Sequence, residues 1–515
     1  MGRPAAFFSA VSLRFARHAS QVVRRFSRGV DGGYAILVFV LATGILLAPP
    51  AIGMANNGDF ERIMYQPEVG LAFNTTDPHL RYFNWVNRYF DVVGGGDARY
   101  PSSLALLLQP AIAVSQWLYG RPLFDLSVLA VFYTALLAVA AFFTLGALRR
   151  VLPPWATVFA ALAGIVVYCD VAYLAYCRSL YSEAVSFVSF MFLLAFTLDL
   201  LTRPVPRIWG LVAFGAAAVA FGTAKLQMAP LALVLGVFAV RLAHLRQDRL
   251  WRVASVLCAA VVVGASTASY ALTPRAFAYT NLYHSVFDGI LVNPATRVQD
   301  LQSLHLDARL AVLAGTSYFD RHPIDVRGRE FRERFYRKIG WTQIAGFYLT
   351  HPDRFIEAMQ QSHRAALAMR PPYLGNYERS SGMPAKTLTH RFSVWSDTKR
   401  DWFPSSVWVL AGYWLVYVVV AVRGLRVRGF RPVDGLERGP RLAEFALWVG
   451  ILAVIQFPIP YLAEGRNELV KHLFTYDLLW DTTLLISGSW AIAKIESAIR
   501  LRKRQRVIVS ETTAV

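Results

Sequence analysis

Charge is scarce in this sequence, and acidic charge is the scarcer kind. Only 17% of the 515 residues are charged, with 53 Lys and Arg against 33 Asp and Glu. A soluble domain carries roughly 25% charged residues, so composition argues against a water-soluble globular enzyme. Cysteine is rarer still. The three residues Cys169, Cys177 and Cys258 lie in or beside apolar runs, which leaves no disulfide framework and no zinc spacing, only three small core residues. An internal repeat, a low-complexity tract and a Gly-rich nucleotide loop are also missing. VVGGGDARYP, around Gly94, lacks the strand and helix that a phosphate cradle needs and reads as a flexible loop.

What the sequence does have is apolar length. Hydrophobic residues make up 55% and aromatics 14%, and a bilayer-spanning helix needs roughly 20 apolar residues. Ten segments are predicted to span: 33–55, 126–148, 155–176, 184–201, 208–222, 226–240, 251–272, 402–422, 442–462 and 474–495. The stretch LALLLQPAIAVSQWLYG from Leu104 is short and broken by Pro110, and a crossing there would put Arg149 and Arg150 outside. It reads as a re-entrant or interfacial helix. The fold class is therefore an all-α polytopic membrane protein, a bundle of about ten transmembrane helices with a large, mostly helical outer region.

The net charge of +20 is topogenic rather than a nucleic-acid signal. Arg14, Arg17, Arg24, Arg25 and Arg28 precede the first span, and Arg149 and Arg150 follow the second. Arg241, Arg246, Arg249 and Arg252 form a third group, Arg423, Arg426, Arg428 and Arg431 a fourth, and RLRKRQR from Arg500 a fifth. Short Lys- and Arg-rich loops stay in the cytoplasm, and all five groups fit one topology. The expectation is a bacterial inner (plasma) membrane protein with both termini cytoplasmic. It comprises a basic segment 1–32, a transmembrane module 33–272 with a first outer loop 56–103, an extracytoplasmic region 273–401, a second transmembrane module 402–495 and a basic tail 496–515. GMA before Asn56 resembles a signal-peptide cleavage site, but the preceding segment is too long and too basic for a signal peptide. In the outer region, His351-Pro352 predicts a helix start. Asn74-Thr75-Thr76 matches a glycosylation sequon, a pattern with many chance matches.

Four polar clusters map to the outer face. NNGDFER holds Asp59, Glu61 and Arg62, and CRSLYSE holds Arg178, Tyr181 and Glu183. Lys225 and Gln227 follow, and EGRNELVKHLFTYD carries Arg466, Lys471 and His472. Charge this close to hydrocarbon is expensive, and is functional or paired. A carboxylate at Asp59 can take a proton from an attacking hydroxyl, or hold a divalent metal with Glu61. The plainer alternative is that Asp59 and Asn56 cap the next helix. Lys225 suits a phosphate as a point charge, against a snorkelling lysine at a span end. Arg178 and Glu183 can simply pair, and Lys471 and His472 can be interfacial anchors. Most Tyr and Trp read as an interfacial belt, while Tyr373 and Tyr377 in RPPYLGNYERSSG are placed to stack on sugar rings.

Several segments in order, NNGDFER, RSLYSEAVSF, TAKLQMAPLAL, HSVFDGILVNP, PPYLGNYERSSG and ELVKHLFTYDLLWD, resemble bacterial glycan-biosynthesis hexose transferases of the WsfD type, in the GT-C class. The likeness runs from Asn56 to Asp481 and implies a GT-C-like bundle. It implies that Asp59 is the general base and that the donor is a polyprenyl-phosphate-linked sugar, so no nucleotide site is needed. A glycan or glycolipid would be the acceptor, at the outer face of the bilayer. Lys225, Arg178, Lys471 and His472 would then face the donor phosphate, and Arg62, Glu183, Asn376 and Tyr377 the sugar or acceptor. Glu61 departs from the pattern, where a small residue is expected after GDF, and leaves a metal at Asp59 and Glu61 an open question with no cofactor certain. The competing functions are a transporter or flippase for a lipid-linked glycan and a non-catalytic membrane assembly or sensor protein. A transporter would carry its charges along a path through the bilayer; an enzyme would gather Asp59, Glu183, Lys225 and Lys471 round one outward cavity.

Overall fold

Apolar length sets the architecture. The structure, a computed structural model, describes residues 29–64, 69–72, 76–93, 101–426 and 438–512. Among them, seven helices are long and apolar enough to cross a bilayer: Gly29–Leu47, Leu126–Val151, Glu183–Thr202, Leu226–Leu245, Arg249–Leu272, Val407–Leu425 and Gly439–Glu464. An eighth crossing arises if Pro154–Tyr168 and Val171–Arg178 count as one span, bent by 57°. The all-α polytopic class therefore holds, while the expected ten spans become seven or eight. Ile208–Gly222 has 15 residues, about 22 Å of helix against a hydrocarbon core of about 30 Å. Phe474–Thr512 is long enough, but Asp477 and Asp481 in its first turns and Lys494 further on make it too polar by the same measure.

Local sequence explains the other departures. The first helix stops at Leu47 rather than near residue 55, because Pro49 and Pro50 cannot continue it. The expected single span 155–176 breaks after Tyr168, where Asp170 caps a new turn by accepting from the Ala172 amide at 2.9 Å. Elsewhere the caps are conventional. Asp125 accepts from the Ser127 amide at 2.7 Å to open Leu126–Val151, and Arg149 and Arg150 complement the dipole at its far end.

Glu183–Thr202 is the central helix, buried along almost its whole length. It packs on Leu126–Val151 and Ile208–Gly222. Because lipid is as apolar as leucine, close contact between small residues holds such helices together. A β-carbon at Gly222 would lie 2.4 Å from Ser266 Oγ, and one at Gly236 would lie 2.5 Å from Val263 Cγ2.

Among the described residues, five short strands sit outside the bundle: β1 (Ile52–Met54), β2 (Val69–Leu71), β3 (Tyr89–Val92), β4 (Leu123–Asp125) and β5 (Leu374–Tyr377). β2, β3 and β4 form one antiparallel sheet, and β1 pairs antiparallel with β5, setting Gly53 against Asn376. Gly53 must be glycine here, since a β-carbon would lie 2.8 Å from the Arg178 carbonyl.

The 273–401 stretch contains Arg275–Tyr283, Arg297–Ser303, Trp341–Thr350, Pro352–Ala368 and Val394–Trp402. Pro352 stands at the start of its helix, as its sequence predicts. A second apolar core, including Phe287, Phe331 and Phe335, fills this part. VVGGGDARYP from Gly94, Asn74, Arg428, Arg431 and the first 28 residues lie outside the described residues.

Candidate functional site

The turn after β1 is built by its own asparagines. Asn56 Oδ1 accepts from the Gly58 amide at 2.7 Å and from the Phe60 amide at 3.3 Å, while Asn57 Oδ1 accepts from the Asp59 amide at 3.0 Å. Asn56 thus supplies the capping contacts, and the Asp59 carboxylate points elsewhere. Tyr181 locks the turn from below: its hydroxyl lies 2.8 Å from the Asn57 amide and 3.0 Å from the Ala55 carbonyl.

Two ion-pair groups meet beside this turn. Lys471, 1% exposed, donates to Asp59, whose side chain is 21% exposed, and its ammonium lies 5.4 Å from the centre of the Tyr181 ring. Lys225 donates to Glu183 Oε1 at 3.0 Å and to His472 Nδ1 at 2.6 Å. With Nδ1 accepting, Nε2 carries the proton and donates to Glu464 Oε2 at 2.8 Å, which describes a neutral imidazole. Burial holds the His472 pKa below its ordinary value, Lys225 adds to that, and Glu464 opposes it. For Lys471, burial pushes down, but Asp59, then Glu468 and Glu183, outweigh it and hold the ammonium charged.

Asp59, Glu183, Lys225 and Tyr181 line a cleft with about 370 Å³ of empty space, part of it open to solvent, whose other wall includes Ile63, Leu104 and Leu180. Leu104 belongs to Ser103–Tyr119, the helix with Pro110 inside. That helix is fixed beside Lys225 by Ser102 Oγ donating to the Ala224 carbonyl at 2.8 Å and Ser103 Oγ donating to the Ala220 carbonyl at 2.6 Å. Its outward side chains, Leu106 and Trp117, are exposed.

Other candidates fall elsewhere. Glu61 turns away from Asp59 and binds Arg81 at 2.7 Å and the Tyr82 hydroxyl. Among the described residues no group of three or more His, Cys, Asp or Glu is arranged to hold a metal ion. Each carboxylate of the expected Asp59–Glu61 metal pair instead meets a cation of its own, the Lys471 ammonium for Asp59 and Arg81 for Glu61. The plainer alternative of an Arg178–Glu183 pair does not hold either: Arg178 is fully buried, paired with Glu378, and donates to Ser127 Oγ at 3.1 Å, while Glu183 pairs with Lys225. Asn376 and Tyr377 sit in β5 against β1, so they border the strand that leads into the Asp59 turn; Asn376 is buried, and its Nδ2 lies 3.5 Å from the Thr387 carbonyl. The Arg62 side chain is outside the described atoms.

Sequence reasoning missed two features. Glu468 forms a hydrogen bond with Asn57 and is close enough to Asp59 and Lys471 for charge coupling; burial holds its carboxyl above the ordinary range, against the pull of Lys471. Behind the cleft, the fully buried Lys399 bridges Asp477 at 2.9 Å and Asp481 at 3.0 Å. Asp481 also accepts from the Tyr173 hydroxyl at 2.5 Å and Trp395 Nε1 at 2.6 Å. The one available signal was the Asp477/Asp481 spacing of four on an apolar helix, which puts both carboxylates on one face.

Comparison with known proteins agrees with the membrane architecture. No curated protein and no solved structure matches the chain. The family model described as YfdI N-terminal transmembrane domain matches residues 24–511, nearly the full length, and takes in every helix and side chain that borders the cleft. This multi-pass membrane protein belongs to the YfdI N-terminal transmembrane domain family.

Proposed function

We propose that the protein is a membrane glycosyltransferase that moves a hexose from a polyprenyl-phosphate donor to a glycan or glycolipid on the outer face of the membrane, with inversion at the anomeric carbon. The observation that carries this reading is the meeting of Asp59, Glu183 and Lys225 at one cleft beside an apolar helix, with Lys471 and His472 bonded to them. A lipid-borne substrate needs an apolar flank for its chain and a polar end for its headgroup, and this cleft offers both. The resemblance to WsfD-type transferases of the GT-C class is the finer form of the same proposal.

In this mechanism Asp59 accepts the proton of the acceptor hydroxyl. The hydroxyl oxygen attacks C1 of the donor sugar, the bond from C1 to the phosphate oxygen breaks, and polyprenyl phosphate leaves with the electron pair. Lys225 and Lys471, already in place, stabilise the charge that develops on the leaving oxygen. Glu183 and His472 hold Lys225 at its station. Asn376 and Tyr377 would serve the acceptor or sugar from β5, and Arg62 from the first loop. Arg178, tied to Glu378, acts on the site through the strand and turn it braces.

Mass analysis of surface glycans from cells with and without the protein tests the reading. Loss of one hexose per acceptor unit in its absence supports it. Loss of the whole glycan, with lipid-linked material trapped on the inner leaflet, would replace it with transport.

A further inference from the structure

An ammonium that grips a phosphate has to be held in place without having its charge cancelled. Lys225, which lines the cleft, is held from two sides. Glu183 Oε1 accepts one of its N–H groups at 3.0 Å and His472 Nδ1 another at 2.6 Å, and its third N–H can serve an oxygen in the cleft. A second carboxylate at the position of the ring would outweigh the lysine's charge. A neutral imidazole nitrogen restrains the ammonium and adds no negative charge. That restraint exists only while Nδ1 carries no proton.

Glu464 sets that condition. Its Oε2 lies 2.8 Å from His472 Nε2, so the ring proton is held at Nε2 and Nδ1 stays an acceptor. The position is unfavourable for an acid in itself. Glu464 is the last residue of the span Gly439–Glu464, at the negative end of the helix dipole, and it is buried, where a carboxylate needs a partner. The backbone fixes both ends of the contact. The helix stops at Gly465, φ 61°, where a β-carbon would lie 2.7 Å from the Gly289 nitrogen, and Gln227 Nε2 donates to the His472 carbonyl at 3.0 Å.

We propose that Glu464 is a positioning residue that acts through His472: by fixing which ring nitrogen carries the proton, it keeps the Lys225 ammonium in place for the donor phosphate. Without an acceptor at Nε2 the ring is free to carry its proton on Nδ1, where it would meet the Lys225 ammonium donor to donor. This role rests on the reading that the donor is a polyprenyl phosphate sugar.

The test is a double-mutant cycle in purified full-length protein in detergent, with undecaprenyl phosphate as the binding probe and melting temperature read alongside. Glu464→Gln keeps an acceptor for the Nε2 proton in its amide oxygen and is expected to bind the probe within about twofold of wild type. Glu464→Leu removes that acceptor and is expected to weaken binding about fivefold or more, as is His472→Leu. Because the carboxylate acts through the ring, Glu464→Leu added to His472→Leu is expected to lose no further binding. Wild-type binding in Glu464→Leu would overturn the proposal, and so would a loss in Glu464→Gln as large as that in Glu464→Leu. An equal loss from Glu464→Leu with and without His472 would also overturn it, since the effect would then bypass the ring. Melting far below wild type in both single Glu464 variants would make the residue a structural prop instead. If wild-type protein itself fails to bind the probe, the donor reading falls and this inference falls with it.

Discussion

Asp59 and Lys471 lie 412 residues apart in the chain and touch in the fold. Lys225 and His472, 247 apart, do the same. These contacts make each side chain's charge depend on its neighbour, which gives the residue scale its tests. Lys225→Met is expected to fold, and to weaken undecaprenyl phosphate binding by about tenfold, measured by native mass spectrometry in micelles. His472 gives a pH signature. Its folded pKa is below the unfolded value of about 6.5, so as pH falls through that value the unfolded chain takes up a proton that the folded protein refuses. Its contribution to stability is present above about pH 6.5 and is lost below it. The melting temperature should therefore drop on acidification from pH 7.5 (about one unit above that value), and His472→Gln should show a smaller drop. Much of this cluster was legible in sequence, because Asp59, Glu183, Lys225, Lys471 and His472 are polar groups placed where apolar runs end. Glu468 was not, although it belongs to the same motif. Its place beside Asn57 follows from a left-handed turn that has no local signature.

At the scale of elements, the outer helix Val394–Trp402 is fastened to the start of Phe474–Thr512 by Lys399 between Asp477 and Asp481. Asp170 adds to the joint, accepting from the Trp395 amide at 2.9 Å and the Ser396 amide at 3.0 Å. Lys399→Met would leave two buried carboxylates without their cation, so it is expected to lower unfolding free energy by about 3–5 kcal/mol. Denaturant titration of the purified protein reads that loss, and a change within about 0.5 kcal/mol would remove the joint from the account. Lys399 was invisible in sequence because VWSDTKRDW looks like a solvated helix: four of its nine residues are charged, and nothing in it says that the lysine turns inward. The shortened first helix and the break after Tyr168 were, by contrast, written locally, in Pro49-Pro50 and in Asp170. Apolar periodicity had masked them.

For the whole molecule, the proposed function requires that the cleft and the 273–401 stretch face the outside of the membrane. Phe319, exposed in the 273–401 stretch, provides the check. A Phe319→Cys variant is expected to react with a membrane-impermeant maleimide in intact cells, against a low background from Cys169 and Cys177, which are buried, and Cys258, which is half-buried. Labelling only after lysis would reverse the topology. The class of fold was legible because apolar length is a direct physical requirement of the bilayer. The number of crossings was not, since Ile208–Gly222 and Phe474–Thr512 are apolar helices that fail on length and on charge respectively.

The central claim is that Asp59 performs chemistry at the cleft. Its most direct test is mass analysis of surface glycans from cells lacking the protein and complemented with wild type or Asp59→Asn, with matched protein levels by blot. The account predicts that only wild type restores the missing hexose, with addition by Asp59→Asn reduced by about 100-fold or more. Full restoration by Asp59→Asn would contradict it.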